Sequence, residues 1–177
     1  MEKLSINHNP DFKNLKSNNI ILGSKSPRRI ELLQLMGIDF TIQKLDIKEE
    51  YPKSMSPIKT ALFLSKKKSQ AYTISNNDIL ICADTIVCSE NKILGKPKSK
   101  KEAILMLKKL SNKQHKVVTA ITIKTTQKEI SFHETTIVHF KKLSMKEIVF
   151  YVNNFKPLDK AGGYGIQEWI GLIGIKK

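Results

Sequence analysis

The order of apolar and polar positions predicts short strands alternating with amphipathic helices. Ile20-Ile21-Leu22 is β-branched and short enough for a buried strand; after Gly23-Ser24-Lys25-Ser26-Pro27-Arg28-Arg29, the run from Ile30 to Met36 takes up helical spacing until Gly37 closes it. Phe40 to Ile42 resumes a strand. Ser56-Pro57 reads as an N-cap and first-turn pair, and Ile58, Ala61, Leu62, Ser65, Ser69 and Tyr72 recur at helical intervals, predicting a helix from Pro57 to about Tyr72. Ile79 to Val87 is the most apolar stretch and predicts a central strand. Ser99 with Glu102 and Ser144 with Glu147 have capping-box spacing ahead of two further amphipathic helices. Between those helices, His115–Ile123 and Glu129–Phe140 read as an antiparallel hairpin turning at Thr125-Thr126-Gln127-Lys128, with alternation plain in the first strand. Three histidines on this hairpin, His115, His133 and His139, lack metal-ligand spacing and read as residues of the strands' polar faces.

Composition narrows the class. The chain has 177 residues, 40% apolar and 27% charged, enough for one domain with a proper core. No segment approaches the roughly 18 uncharged apolar residues that a membrane span needs. Residues 1–19 are polar, lack the apolar centre of a signal peptide, and read as a short extension of a cytoplasmic protein. Cys82 and Cys88 sit in or beside one apolar run and read as buried free thiols. The formal charge of +15 raises the alternative of a non-enzymatic nucleic-acid-binding or regulatory protein. Its lysines, however, are scattered and no recognition motif accompanies them, so a generally basic surface suited to small polyanions is the better account.

Within that surface two arginines stand apart, because Arg occurs only at positions 28 and 29. They fall at a helix start, where the dipole is already positive and cations are disfavoured, so an anion should sit there, held by backbone N–H groups, Ser26 and its neighbouring serine, and two guanidinium forks. Spacing alone leaves this loop evenly balanced between an anion site and a solvated Arg pair. The stronger signal is Asp84, which shares a face with Leu80, Cys82 and Ile86 in the apolar strand; a carboxylate there requires a partner, a metal or a cleft. Glu49 lies in a polar loop and is a candidate metal or substrate contact, against the plainer reading of a solvated acidic patch. One of Lys66, Lys67 and Lys68 could reach a phosphate; otherwise they suit the end of a helix. Lys96 precedes Pro97 and is presented at a strand end. The glycine-rich stretch Leu158–Gln167 permits close approach of a ligand or another strand.

Five segments in order, Ser24–Arg29 with Glu31-Leu32-Leu33, Ala83-Asp84-Thr85, Gly95-Lys96-Pro97, Leu110-Ser111 with His115, and Asp159-Lys160-Ala161-Gly162 through Gly165-Ile166-Gln167, resemble the Maf family. That resemblance implies an α/β fold of the Maf/ITPase-like kind, with a central twisted mixed sheet flanked by helices and two lobes around a substrate cleft. The implied activity is a nucleoside triphosphate pyrophosphatase that uses a divalent metal ion, Mg or Mn, and often forms a homodimer. Asp84 would be the proton acceptor; Arg28, Thr85 and Gln167 would govern substrate choice; Glu49, Lys68 and Lys96 would be further active-site positions, with Glu49 and Asp84 at the metal. Ser26, Arg28, Arg29, Lys68 and Lys96 would hold substrate. Thr85 after the aspartate resembles the branch acting on dTTP and UTP, whereas Gln at that place marks the 7-methyl-GTP branch, the alternative specificity. The expected organisation is an extension over residues 1–19 and one Maf-like domain over 20–177, lacking the final strand and helix usual in the family.

Overall fold

The structure is a computed structural model and describes residues 17–176 together with Leu15. The extension expected over residues 1–19 therefore lies mostly outside the described residues. In chain order the elements are β1 (Asn19–Leu22), α1 (Pro27–Leu35), β2 (Thr41–Ile42), α2 (Pro57–Gln70), β3 (Asp78–Ser89), β4 (Lys92–Leu94), α3 (Lys100–Leu110), β5 (Gln114–Lys124), β6 (Glu129–His139), α4 (Met145–Phe155) and α5 (Trp169–Gly174). Two short 3₁₀ turns, Pro157–Asp159 and Ala161–Gly163, lie between α4 and α5.

Six strands form one mixed sheet in the order β2-β1-β3-β5-β6, with β4 on β3. β1 runs parallel to both neighbours, Ile21 facing Thr41 on one side and Leu80 on the other. β4 returns antiparallel on the last residues of β3, Val87 opposite Leu94. This is the mixed sheet with flanking helices that the sequence implies. Among the described residues no helix is long and apolar enough to cross a membrane.

The chain divides into two compact units. The first comprises the described residues up to Pro52, Leu62–Asp84 and Ala120–Phe132. Its small apolar cluster is Ile21, Leu80 and Cys82, against which Leu45, Tyr72 and Ile74 pack. A polar layer accompanies it. Asp78, buried at the start of β3, accepts from Ser75 N–H at 2.9 Å and from Asn19 Nδ2 at 3.2 Å, so the carboxylate fixes how the strand begins. Ser65 on α2 meets Thr122 at 2.9 Å, and Thr122 meets Ser131 at 2.9 Å, joining the helix to β5 and β6 through hydroxyls.

The second unit comprises Lys53–Ala61, Thr85–Thr119 and the described residues from His133 onward, and holds the larger core. Ala103, Leu107 and Leu110 of α3 and Ile148, Tyr151 and Val152 of α4 pack with Phe140, Leu143, Tyr164 and Ile170. Truncating a buried leucine such as Leu107 to alanine here would cost about 2–5 kcal/mol. Caps fix where both helices begin. Ser144 and Glu147 complete a capping box. At α3 Ser99 accepts from Glu102 N–H, but the Glu102 carboxylate turns to Lys98 N–H at 2.8 Å, leaving the box half made.

Two local expectations change. Ser26 has the extended backbone of an N-cap, yet its side chain makes no cap bond; Arg29 N–H donates to the Ser26 carbonyl at 3.0 Å, and Ser26 N–H to Ser24 Oγ at 3.2 Å. His115 is buried and is not a polar-face residue. Its Nε2 lies 2.6 Å from Tyr164 Oη, and the Phe140 and Tyr164 rings stand against it at 5.3 and 5.4 Å. Burial pulls its pKa down to about 4. Both cysteines are buried free thiols as expected.

Candidate active site

The first unit gathers six of the nine sequence-predicted residues: Ser26, Arg28, Arg29, Glu49, Lys68 and Asp84. The β-branched run of β1 carries the chain into the Gly23–Ser26 loop, and Pro27 starts α1 so that Arg28 and Arg29 fall in its first turn. There Arg29 Nη1 donates to Ser24 Oγ at 3.0 Å and to the Ala83 carbonyl at 2.9 Å. The carbonyl belongs to the peptide that precedes Asp84, so the guanidinium ties the helix start to the strand carrying the carboxylate. Burial presses Arg29 below its ordinary pKa while Asp84 opposes the shift. An arginine so far above neutrality stays charged regardless.

Asp84 sits in the apolar run of β3 with a relative exposure of 7%. It is not unpaired: Lys68, near the end of α2, places Nζ 2.5 Å from Asp84 Oδ1 and 2.9 Å from Glu49 Oε1. One ammonium thus bridges two carboxylates, and of the three successive lysines it is Lys68 that reaches the site. Lys67 turns instead to the carbonyls of Lys48 and Glu50 at 2.8 and 3.2 Å, bracing the loop from which Glu49 projects. Burial raises the Asp84 pKa, and Lys68 pulls the other way through its charge and its hydrogen bond. A carboxylate more basic than usual, held in place by a cation, is the arrangement expected of a general base. Nearby, burial pushes the Cys82 thiol to about 11, which removes it as a nucleophile.

Thr85, Lys96 and Gln167 belong to the second unit. Thr85 Oγ1 lies 3.1 Å from Thr119 Oγ1, which fixes its rotamer on β3. Lys96 is exposed, and the carbonyl of Gly95 before it accepts from Gly162 N–H at 3.0 Å, bringing the Lys96 loop onto the glycine-rich stretch. Gln167 is exposed in a tight turn closed by Glu168 N–H on the Gly165 carbonyl at 3.0 Å. Sequence reasoning gave no role to the groups beneath that turn. Lys160, with 9% side-chain exposure, pairs with Glu168 at 3.1 Å, and Tyr151 Oη donates to Glu168 Oε2. The available signal was a charged pair placed inside an otherwise small and apolar loop.

Among the described residues no group of three or more His, Cys, Asp and Glu converges as a ready cage for a metal ion. Glu49 and Asp84 do converge on one point, the Lys68 ammonium. Two carboxylates are the protein donor set with which Mg²⁺ or Mn²⁺ binds when waters and substrate phosphates complete the shell, so these residues fit such an ion.

The family model described as Maf-like protein matches residues 19–177. The dTTP/UTP pyrophosphatase of Parabacteroides distasonis is 44% identical over 168 residues, covering 93% of this chain and 87% of its own. That of Cytophaga hutchinsonii is 46% identical over 167 residues, covering 94% and 77%. Among solved structures the Staphylococcus aureus Ham1 protein aligns with a TM-score of 0.48 at 16% identity, over 70% of this chain and 72% of that one.

Proposed function

The chain belongs to the Maf family, and from that premise we propose that it hydrolyses dTTP and UTP to the nucleoside monophosphate and pyrophosphate. The observation that carries the reading is the buried Asp84 held by Lys68 beside Arg29, in a chain 44% identical to a dTTP/UTP pyrophosphatase over most of its length. Thr85 directly after Asp84 favours the dTTP and UTP branch.

In this mechanism Arg28 and Arg29, with Ser26 and the N–H groups of the α1 start, hold phosphate oxygens, and Lys68 and Lys96 add positive charge. Water adds to the α-phosphorus and Asp84 accepts its proton; the bond from that phosphorus to the bridging oxygen breaks, and pyrophosphate leaves with the bonding pair. Lys68 engages Oδ1 of Asp84, so Oδ2 is the oxygen that receives the proton. Thr85, Gln167 and Arg28 select the base. Glu49 and Asp84 would hold a Mg²⁺ or Mn²⁺ ion, which when bound neutralises phosphate charge and lowers the pKa of water. The reading places the protein in the cytoplasm, in keeping with two buried free thiols.

The test is pyrophosphate release from dTTP, UTP, CTP and 7-methyl-GTP with Mn²⁺, with and without chelator. Release from dTTP and UTP that stops with chelator is expected. Preference for 7-methyl-GTP would overturn the specificity, and chelator-insensitive turnover would overturn the metal role. Steeply salt-dependent nucleic-acid binding without hydrolysis would favour the non-enzymatic alternative.

A further inference from the structure

Within the second unit one phenol oxygen fastens both ends of the turn that carries Gln167. Gly165 N–H donates to Tyr151 Oη at 3.0 Å, and Tyr151 Oη donates to Glu168 Oε2. Glu168 N–H in turn closes on the Gly165 carbonyl at 3.0 Å. Ile166 and Gln167 are the two residues between, and both are exposed. Tyr151 is fully buried on α4 and stacked on Phe155 with centroids 5.1 Å apart, so its hydroxyl is a fixed point.

The other carboxylate oxygen of Glu168 is held as firmly. Lys160 Nζ lies 3.1 Å from Oε1 and 2.7 Å from Asp159 Oδ1. A Cβ built on Gly165 would fall 2.8 Å from Glu168 Cδ, so the carboxylate lies against the bare α-carbon and a larger residue there would have to displace it. A connecting turn with no task beyond joining 3₁₀ turn to helix does not need a buried ammonium, a carboxylate and a tyrosine hydroxyl beneath it. An exposed side chain that must meet a ligand in one geometry needs that kind of support.

We propose that Tyr151, acting with Glu168 and Lys160, is a positioning residue that sets the geometry of Gln167 and so determines how strictly the base is selected. The inference rests on the reading that Gln167 contacts the base. Their hydrogen bonds and ion pair fall on the two ends of the turn, Gly165 and Glu168, so the effect falls on binding of the matching nucleotide and not on the chemical step.

The experiment compares Tyr151→Phe, Gln167→Ala and the double variant, measuring KM and kcat for dTTP and UTP with Mn²⁺. Tyr151→Phe keeps the ring and removes only the hydroxyl. It is expected to raise KM about fivefold to tenfold with kcat within about twofold, and to add nothing in the Gln167→Ala background, because the residue it positions is already gone. Glu168→Ala is expected to behave alike and Glu168→Gln to recover most of the loss, which keeps the test open should Tyr151→Phe fold poorly. An unchanged KM in Tyr151→Phe while Gln167→Ala raises it overturns the positioning role alone. Fully additive effects in the double variant overturn it as well, since a merely structural residue would behave so. If Gln167→Ala is itself silent, the base-contact reading fails and the inference falls with it.

Discussion

Lys68 Nζ stands 2.5 Å from Asp84 Oδ1, and the same nitrogen holds Glu49 Oε1 at 2.9 Å. One ammonium thus holds both carboxylates in place. Asp84→Asn retains an oxygen for Lys68 but cannot take a proton. The expected result is a folded protein whose turnover falls by about two orders of magnitude or more. Unchanged pyrophosphate release would remove Asp84 from the chemistry.

Lys68→Met keeps the length and discards the charge. Asp84 would then be buried without its counter-ion, and stability should fall by about 1–3 kcal/mol, read as a lower urea midpoint at unchanged slope. The lower end is the better expectation, because the Glu49 side chain is 44% exposed and water screens its share. A midpoint equal to that of the parent would mean that the pair contributes nothing.

Arg29→Lys tests the fork. A single ammonium at the end of a lysine chain cannot reproduce the planar fork whose Nη1 reaches both Ser24 Oγ and the Ala83 carbonyl. Nucleotide KM is expected to rise about tenfold, with a loss of stability of about 1–2 kcal/mol. If both stay within twofold of the parent, the bridging role is wrong.

His115 sets a pH limit on the second unit. Its folded pKa of about 4 lies below the ordinary 6.5, because the buried ring resists charging and His139 adds repulsion. Between these values the unfolded chain binds the extra proton, so stability is fully present above about pH 6.5 and is lost as pH falls toward 4. The loss should approach about 3 kcal/mol, visible as a falling melting temperature over that window. His115→Phe should flatten the slope; an equal slope in that variant would assign the effect elsewhere.

Gly162→Ala probes the glycine-rich stretch directly. The residue has φ +70°, and an added Cβ would meet Val87 Cγ1 at 2.8 Å. Strain and overlap together should cost about 1–3 kcal/mol. Denaturation at or above the parental midpoint would contradict the geometry.

Much of this was legible in the residues themselves. Asp84 announced itself because a carboxylate inside Ile79–Val87 has no cheap explanation, and Ser144 with Glu147 marked the start of α4 because capping depends on a spacing of three. What escaped prediction depended on contacts distant in sequence. On β5 the buried face is Val118, Ala120 and Thr122, so alternation puts His115 on the opposite face; Phe140 and Tyr164 cover it there, and no local rule reveals them. Ser26 carries every local mark of a cap, but its side chain accepts no cap bond; Arg29 N–H goes to the Ser26 carbonyl, and Ser24 Oγ receives Ser26 N–H and Arg29 Nη1. Tyr151 and Glu168 lie 17 positions apart, outside any helical or strand period.

At the base of α1, Glu49 and Asp84 carry two negative charges against three positive ones on Arg28, Arg29 and Lys68, so most of the charge there cancels locally in a chain whose formal charge is +15. A triphosphate therefore meets only a small standing surplus of cations at the spot where the proton is taken. Its long-range attraction comes from lysines spread over the outside and is screened by salt at distances beyond about 10 Å. Rising ionic strength should consequently slow capture of the nucleotide while leaving the rate of the bound complex nearly untouched.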